Sequence, residues 1–344
     1  MARRTRKTLW NRSFRRTLTA LTRSAIRVGS KAVTQALRAA PGGRQSSARK
    51  RTPAHSANWS TGIAIGAAGA RLYRLYTPPN VLRTEHLPLV VMLHGCWQDA
   101  NGLAAASQMN RIAAHKRFFV LYPEQDHLSN AQGCWNWYET RSGRAQSEAS
   151  TIEAAINQIC LLEAVDSTRI ALAGISAGAS MAALLATRHP ESFRAIAMHS
   201  GIAPGVAYSS ASALSAMRGR RVASLPLAPL AAATHLPPLL VIHGSADRVV
   251  APSNGVAAAQ RWAVRADAQA GAPRTVQRGA RYAATVTDYR SGGRLVATLC
   301  EVKGLGHAWS GGAAGRAYSD PQGPDASRMI WAFVSRQFSL APAV

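Results

Sequence analysis

Arg169-Ile-Ala-Leu-Ala-Gly-Ile-Ser-Ala-Gly-Ala-Ser180 decides how the rest of the chain is read. An apolar run from Ile170 to Ala173 meets Gly174-Ile175-Ser176-Ala177-Gly178, and a helix-forming run, Met181 to Thr187, follows. That is strand, sharp turn and helix, with Ser176 at the apex, the arrangement that presents a serine hydroxyl as a nucleophile at the edge of a sheet. Such a turn strains the serine backbone and tolerates only small residues two before and two after it; Gly174 and Gly178 supply them. The Ala177 amide then lies at a helix N-terminus, pointing where an oxyanion would form. Gly-x-Ser-x-Gly alone is a weak signal, expected by chance roughly once in ten chains of this length at ordinary Gly and Ser usage. A glycine-rich turn that merely closes a parallel strand–helix unit would look the same, so the partners of Ser176 decide.

Outward from this turn, strands alternate with helices. Residues 71–76, 88–93, 118–122, 195–199, 239–242 and 296–302 read as strands. Residues 103–116, 147–163, 253–266 and 324–338 read as helices with one apolar face. Residues 203–238 are rich in Ala, Ser, Leu and Pro without clear period; they read as an insertion over the C-terminal edge of the sheet, with a short helix near 211–217. Strands separated by helices predict a mainly parallel sheet covered on both faces.

Hydrolysis by serine needs a base, a group that orients the base, and donors for the oxyanion. On an open sheet these groups lie just past strand C-termini, in the chain order Ser, acid, His. Asp247 stands four residues beyond His243, where its strand ends, and His307 just beyond the last strand, so Ser176, Asp247 and His307 satisfy both order and placement. Asp288 falls before or within a strand, and Asp320 and Asp325 follow His307. His94, His199 and His243 each close a strand, but none follows both Ser176 and Asp247. His94-Gly95 reads as shaping a loop whose Cys96 amide joins Ala177 as an oxyanion donor. The mechanism these groups imply uses no metal and no organic cofactor.

The net charge of +25 is unevenly spread. Of the 41 Lys and Arg, 15 lie in residues 1–51 together with no acid, and the first carboxylate is Glu85. The other 26 face all 16 Asp and Glu, a net +10. Trp10, Phe14, Leu18, Leu21, Ala25 and Val28 step by four or three with arginines between them, which predicts a basic amphipathic helix. A flexible linker rich in Pro, Gly and Ser follows. Residues 1–60 are therefore read as a basic, partly helical or disordered arm and residues 61–344 as one catalytic domain. Through residues 1–40 the arm would contact an anionic surface, a granule or a membrane; a solvated extension or a targeting sequence is the alternative. Nothing predicts sequence-specific nucleic-acid binding. No stretch approaches the ~20 apolar residues of a membrane span, and no uninterrupted apolar signal region is visible, which favours a cytoplasmic or granule-associated protein. The four cysteines are too few for a disulfide scaffold and lack metal-ligand spacing.

Several segments together are more specific than the serine turn: Leu93-His-Gly-Cys-Trp-Gln98, Tyr122-Pro-Glu-Gln125, Cys134-Trp-Asn-Trp137, Met198-His-Ser-Gly201, Ile242-His-Gly-Ser-Ala-Asp247, Gly306-His-Ala-Trp-Ser-Gly-Gly312 and Ser319-Asp-Pro-Gln-Gly-Pro-Asp325. With them, residues 68–338 resemble the poly(3-hydroxybutyrate) depolymerase-type esterases, α/β-hydrolases related to feruloyl and acetylxylan esterases. The resemblance implies Ser176, Asp247 and His307 as the triad and Cys96 in the oxyanion hole. It implies that Trp135, Trp137 and Trp309 line the acyl or alcohol subsite, with core packing an equal alternative, and that Cys96 and Cys134 could pair in an oxidising compartment. Secreted depolymerases of the family carry a signal peptide and a polymer-binding module, neither of which is visible here. Short-chain esters, hydroxyalkanoate oligomers or amorphous polymer are therefore the expected substrates, with extracellular location as the family alternative.

Overall fold

A computed structural model describes residues 58–82, 84–220 and 235–340. The N-terminal arm, with its amphipathic-helix and surface-contact readings, lies outside the described residues. In chain order the strands are β1 (Trp59–Gly66), β2 (Gly69–Tyr76), β3 (Leu87–Leu93), β4 (Phe119–Pro123), β5 (Val165–Ile175), β6 (Ala195–His199), β7 (Leu239–Gly244), β8 (Gln269–Ala270), β9 (Arg274–Val276), β10 (Ala284–Ser291), β11 (Arg294–Val302), β12 (Trp309–Ser310) and β13 (Ser319–Asp320). The helices are α1 (Ala100–Ser107), α2 (Met109–Lys116), α3 (Arg144–Leu162), α4 (Ala177–Arg188), α5 (Ser210–Met217), α6 (Ser253–Arg265) and α7 (Ala326–Ser339).

The main sheet runs β1-β2-β4-β3-β5-β6-β7-β11-β10-β8, with β9 also on β10. From β4 through β11 neighbouring strands pair in parallel, while β1, β2 and β10 are antiparallel to their partners. Strand side chains alternate between two cores, as the period of two requires. Leu89, Val91 and Leu93 face one core, which takes Ile152 of α3, Leu185 of α4 and Trp262 of α6. Val90 and Met92 face the other, with Leu103 of α1, Met109 of α2 and Ile330 of α7. Burial on both faces makes the central strands continuously apolar. This is the α/β-hydrolase fold expected from the sequence.

The differences from the expected elements have local causes. The helix read across 103–116 is two helices: Gln108 takes a left-handed conformation (φ 53°), and its N–H closes α1 on the Ala104 carbonyl. No glycine marks the break. β1 was not anticipated because Ile63 and Ile65 point to solvent, 56 and 80% exposed, while little but Ala64 is buried, which inverts the usual signal. Gly62 and Gly66 admit the Tyr73 ring and the α3 backbone at Thr151. β10 alternates Thr and Asp with buried Ala284, Val286 and Tyr289, too polar to stand out. The Gly292-Gly293 turn behind it, positive at both φ angles, was the available hairpin signal.

Candidate active site

The C-terminal ends of β3, β5, β6, β7 and β11 converge on one edge. β5 runs straight into Ser176, whose φ of 56° and ψ of −123° fall where a non-glycine residue is strained. The flanking glycines are sterically required. A Cβ on Gly174 would lie 2.5 Å from the Gly178 carbonyl carbon, and one on Gly178 would run into the carbonyl oxygens of Leu93 and His94. The Ser176 N–H donates to the His199 carbonyl at 2.9 Å. Its side chain is half-buried and, among the described residues, makes no hydrogen bond.

Asp247 and His307 meet directly. His307 Nδ1 lies 2.7 Å from Asp247 Oδ2, while Oδ1 accepts the N–H groups of Val249 and Val250, each at 2.9 Å. A proton held on Nδ1 by the carboxylate leaves Nε2 free to act as a base. Burial pushes the Asp247 carboxyl up, but hydrogen bonds from His243 and His307 and the Val250 amide more than offset that, so it stays ionised. Asp288 is committed elsewhere: it sits within β10 and bonds Thr298 Oγ1 and Arg274. Asp325 caps α7 through the Arg328 N–H.

The three strand-end histidines have structural tasks; the sequence suggested that of His94, shaping the turn after β3, but not those of His199 and His243. His94 holds the turn after β3, with Nδ1 2.8 Å from the Gly95 carbonyl and Nε2 accepting the Gln125 N–H at 3.0 Å. His243 lies beside the acid, Nε2 3.0 Å from the Val250 carbonyl and 3.4 Å from Asp247 Oδ2. His199 stacks on Trp309 and accepts the Ser310 N–H at 3.1 Å. Burial lowers His94 to about 4 and His199 to about 3, so both rings are neutral. For His199 and His243, position at a strand end was the only sequence signal for these roles.

The turn after β3 packs against the serine: a Cβ on Gly95 would sit 3.3 Å from Ser176 Cβ. Among the described residues the Cys96 N–H meets no protein acceptor, and the Ala177 N–H belongs to the first turn of α4, where amides lack intrahelical partners. A Cys96–Cys134 disulfide ties this turn to the segment bearing Trp135 and Trp137. Cys160 and Cys300 are free; burial pushes the Cys300 thiol up to about 12. The three tryptophans separate. Trp137 stands in the wall of a cavity of about 360 Å³ together with Ser176, Ala177, Cys96, Ile202 and Met217. Trp135 is fully buried and donates to the His94 carbonyl, and Trp309 is buried against His199 and donates to Ser327 Oγ. α5, within the insertion expected over this edge, supplies Ala213 and Met217 to the cavity. No group of three His, Cys, Asp or Glu among the described residues is placed to hold a metal ion.

Comparison with known proteins agrees with this architecture. The chain is 32% identical over 194 residues to poly(3-hydroxyalkanoate) depolymerase C of Paucimonas lemoignei, covering 52% of this chain and 46% of that one. It is 26% identical over 232 residues to acetylxylan esterase A of Talaromyces purpureogenus, covering 62% and 58%. A feruloyl esterase B of Thermothelomyces thermophilus is 31% identical over 137 residues, covering 39% and 46%. The chain thus spans about half the length of the curated relatives it matches. Among solved structures, the acetyl xylan esterase from Aspergillus awamori superposes with a TM-score of 0.59 at 21% identity, covering 72% of this chain and 94% of that one, which supports the fold. The family described as Esterase PHB depolymerase matches residues 71–278. Strand order, serine turn and this match over more than half its length place the chain in the PHB depolymerase esterase family.

Proposed function

We propose that the chain is a serine carboxylesterase in which Ser176, His307 and Asp247 form the triad, acting on short-chain polyhydroxyalkanoate, above all 3-hydroxybutyrate polymer or oligomers. The observation that carries the reading is the 2.7 Å Asp247–His307 pair, set at the same strand edge as a strained, uncommitted Ser176. His307 Nε2 takes the Ser176 proton as Oγ attacks the ester carbonyl. The Cys96 and Ala177 amides receive the developing oxyanion, and Asp247 stabilises the imidazolium. His307 then gives the proton to the departing alkoxide oxygen, leaving an acyl-serine and a free alcohol. Water attacks the acyl-serine by the same route, with His307 taking the water proton and returning it to Ser176, and the acid is released. Unliganded sites commonly have long base–nucleophile distances that tighten with substrate. On this reading the Ser176–His307 hydrogen bond forms as an ester enters.

Cavity size bears on the acyl group. A cavity of about 360 Å³ falls in the ~300–1,000 Å³ range of small-molecule sites. An acetyl group fills a small part of that; a hydroxybutyrate dimer or an aromatic acyl group fits it. The second reading, a feruloyl-type esterase, is favoured by the same volume and by Trp137 and Tyr138 in the wall. The basic segment at residues 1–40 supports contact with an anionic granule or membrane surface.

The deciding experiment sets turnover of hydroxybutyrate oligomers against feruloyl and acetyl esters, with Ser176→Ala as control and a serine-directed phosphonate mapped to its site. Labelling at Ser176 and preference for hydroxybutyrate oligomers are expected. Labelling elsewhere, or an active Ser176→Ala variant, sinks the triad; preference for feruloyl esters moves the substrate to the second reading. Deleting residues 1–55 should leave soluble-ester turnover intact and abolish binding to anionic vesicles; retained binding removes the arm from the account.

A further inference from the structure

His199 takes no part in the proton transfers above, yet it touches both halves of the machinery. It ends β6 and is fully buried. Its carbonyl accepts the Ser176 N–H at 2.9 Å, and its Nε2 accepts the Ser310 N–H at 3.1 Å. Its face lies on the Trp309 indole, centroids 5.2 Å apart and planes 20° from parallel. Trp309 and Ser310 follow His307 by two and three residues. The other backbone bonds of residues 308–312 run to residues 306, 309, 318 and 320. Among these bonds, Ser310 to His199 is the link to the sheet beside the nucleophile. We propose that His199 is a positioning residue that holds the His307 loop in register with Ser176 through its Nε2 acceptor and its stacked ring.

The inference rests on the triad reading, and the chemistry of imidazole fits the task. The Ser310 amide can only donate, so Nε2 carries a lone pair and the ring proton resides on Nδ1. Nδ1 lies 3.2 Å from Ser200 Oγ, to which it donates. Ser200 is itself held in a left-handed conformation (φ 52°), with its N–H on the Ile242 carbonyl of β7 at 2.9 Å. One ring therefore supplies an acceptor, a donor and a flat face in fixed directions. An imidazolium could not accept the Ser310 bond. Burial, His243 and His307 all oppose protonation of the ring, and the single opposing charge, Asp247, does not overcome them. A shift of about 1 Å between base and nucleophile is enough to slow such a reaction ~10²-fold.

His199→Phe keeps the stacked face and removes the acceptor; His199→Gln places an amide oxygen where Nε2 was. The readouts are kcat and KM on a soluble ester, the rate of phosphonate labelling at Ser176, and Tm. In the Phe variant, kcat and labelling rate should fall together by roughly 10–100-fold with KM within about twofold. The Gln variant should recover to within about fivefold. A Phe variant within threefold of wild type, or a folded Gln variant as slow as Phe, overturns the proposal. If the Phe variant does not fold, hydrogen exchange on the wild type decides: Ser310 should be protected, and exchange at the rate of an unbonded loop amide overturns the assignment. Ser176→Ala run alongside separates the two failures, since turnover by that variant removes the triad whatever His199 does.

Discussion

Acid should destabilise this fold well above the range in which carboxylates titrate, because two sealed imidazoles must stay neutral. His94 and His199 are 1 and 0% exposed, and each accepts a backbone N–H through Nε2. Burial holds them at about 4 and about 3 in the folded chain, against an ordinary value near 6.5 when unfolded. Both are depressed, so the stability tied to their neutral forms is complete above pH ~6.5 and is lost as pH falls from there toward the folded values. At pH 5 the unfolded chain has bound nearly one proton at each position and the folded chain almost none. Linkage then gives a loss of about 2 kcal/mol per histidine between pH 8 and pH 5, about 4 kcal/mol for the pair. Asp247 adds nothing in this window: its carboxyl is held low, and its contribution disappears only below pH ~4. Urea unfolding followed by tryptophan fluorescence at pH 8, 6.5 and 5, with the disulfide intact, measures the slope. His199→Gln removes one titrating ring and should cut the pH 8-to-5 loss by about 2 kcal/mol. A variant that loses as much stability as wild type over that interval refutes the claim that His199 is neutral and buried in the native state.

Four further outcomes test separate parts of the structure. Asp247→Asn keeps the shape beside His307 but favours the wrong tautomer, so kcat should fall by ~10⁴; a loss under tenfold removes Asp247 from the mechanism. Gly178→Ala drives a methyl into backbone carbonyls that cannot swing aside, which should destabilise by about 3 kcal/mol and be seen as a lowered Tm; an unchanged Tm contradicts the packing of α4 on β3. Reducing the Cys96–Cys134 bond, or Cys134→Ser, should slow kcat by no more than the ~10²–10³ of one oxyanion donor while phosphonate still labels Ser176. Unaltered kcat would mean the bridge does not hold the Cys96 amide. Both rings are buried, so Trp137→Ala and Trp135→Ala should each lower Tm, with about 3–5 kcal/mol lost for the fully buried Trp135, but only Trp137→Ala should change the ranking of acyl groups, since of the two only Trp137 faces the cavity. Equal effects of the two on ester selectivity would overturn that division.

What the sequence made legible was whatever repeats a backbone period or needs a special residue at one place. The central strands are buried on both faces and so stand out as apolar runs, and the serine turn stands out because Gly174 and Gly178 are sterically required. Asp247 and His307 could be picked by order along the chain because a sheet edge collects whatever follows its strands. What stayed hidden depends on partners distant in sequence. The left-handed Gln108 that divides α1 from α2 uses no glycine, and β1 turns its isoleucines to water. Trp135, Trp137 and Trp309 look alike in sequence, yet one faces the cavity while two are spent on hydrogen bonds to the His94 carbonyl and Ser327. The strand-end histidines carry the same lesson further. His94, His199 and His243 could be excluded as the base by chain order alone, but nothing local distinguishes an idle histidine from one whose ring nitrogen meets an amide more than 100 residues away, as His199 does at Ser310. Chain order thus singles out the groups that, in the proposed mechanism, move protons. The groups that hold them still are set by contacts across the sheet edge, and the comparison of His199→Phe with His199→Gln probes those contacts directly: if the acceptor atom is immaterial, the site is kept in register by packing alone.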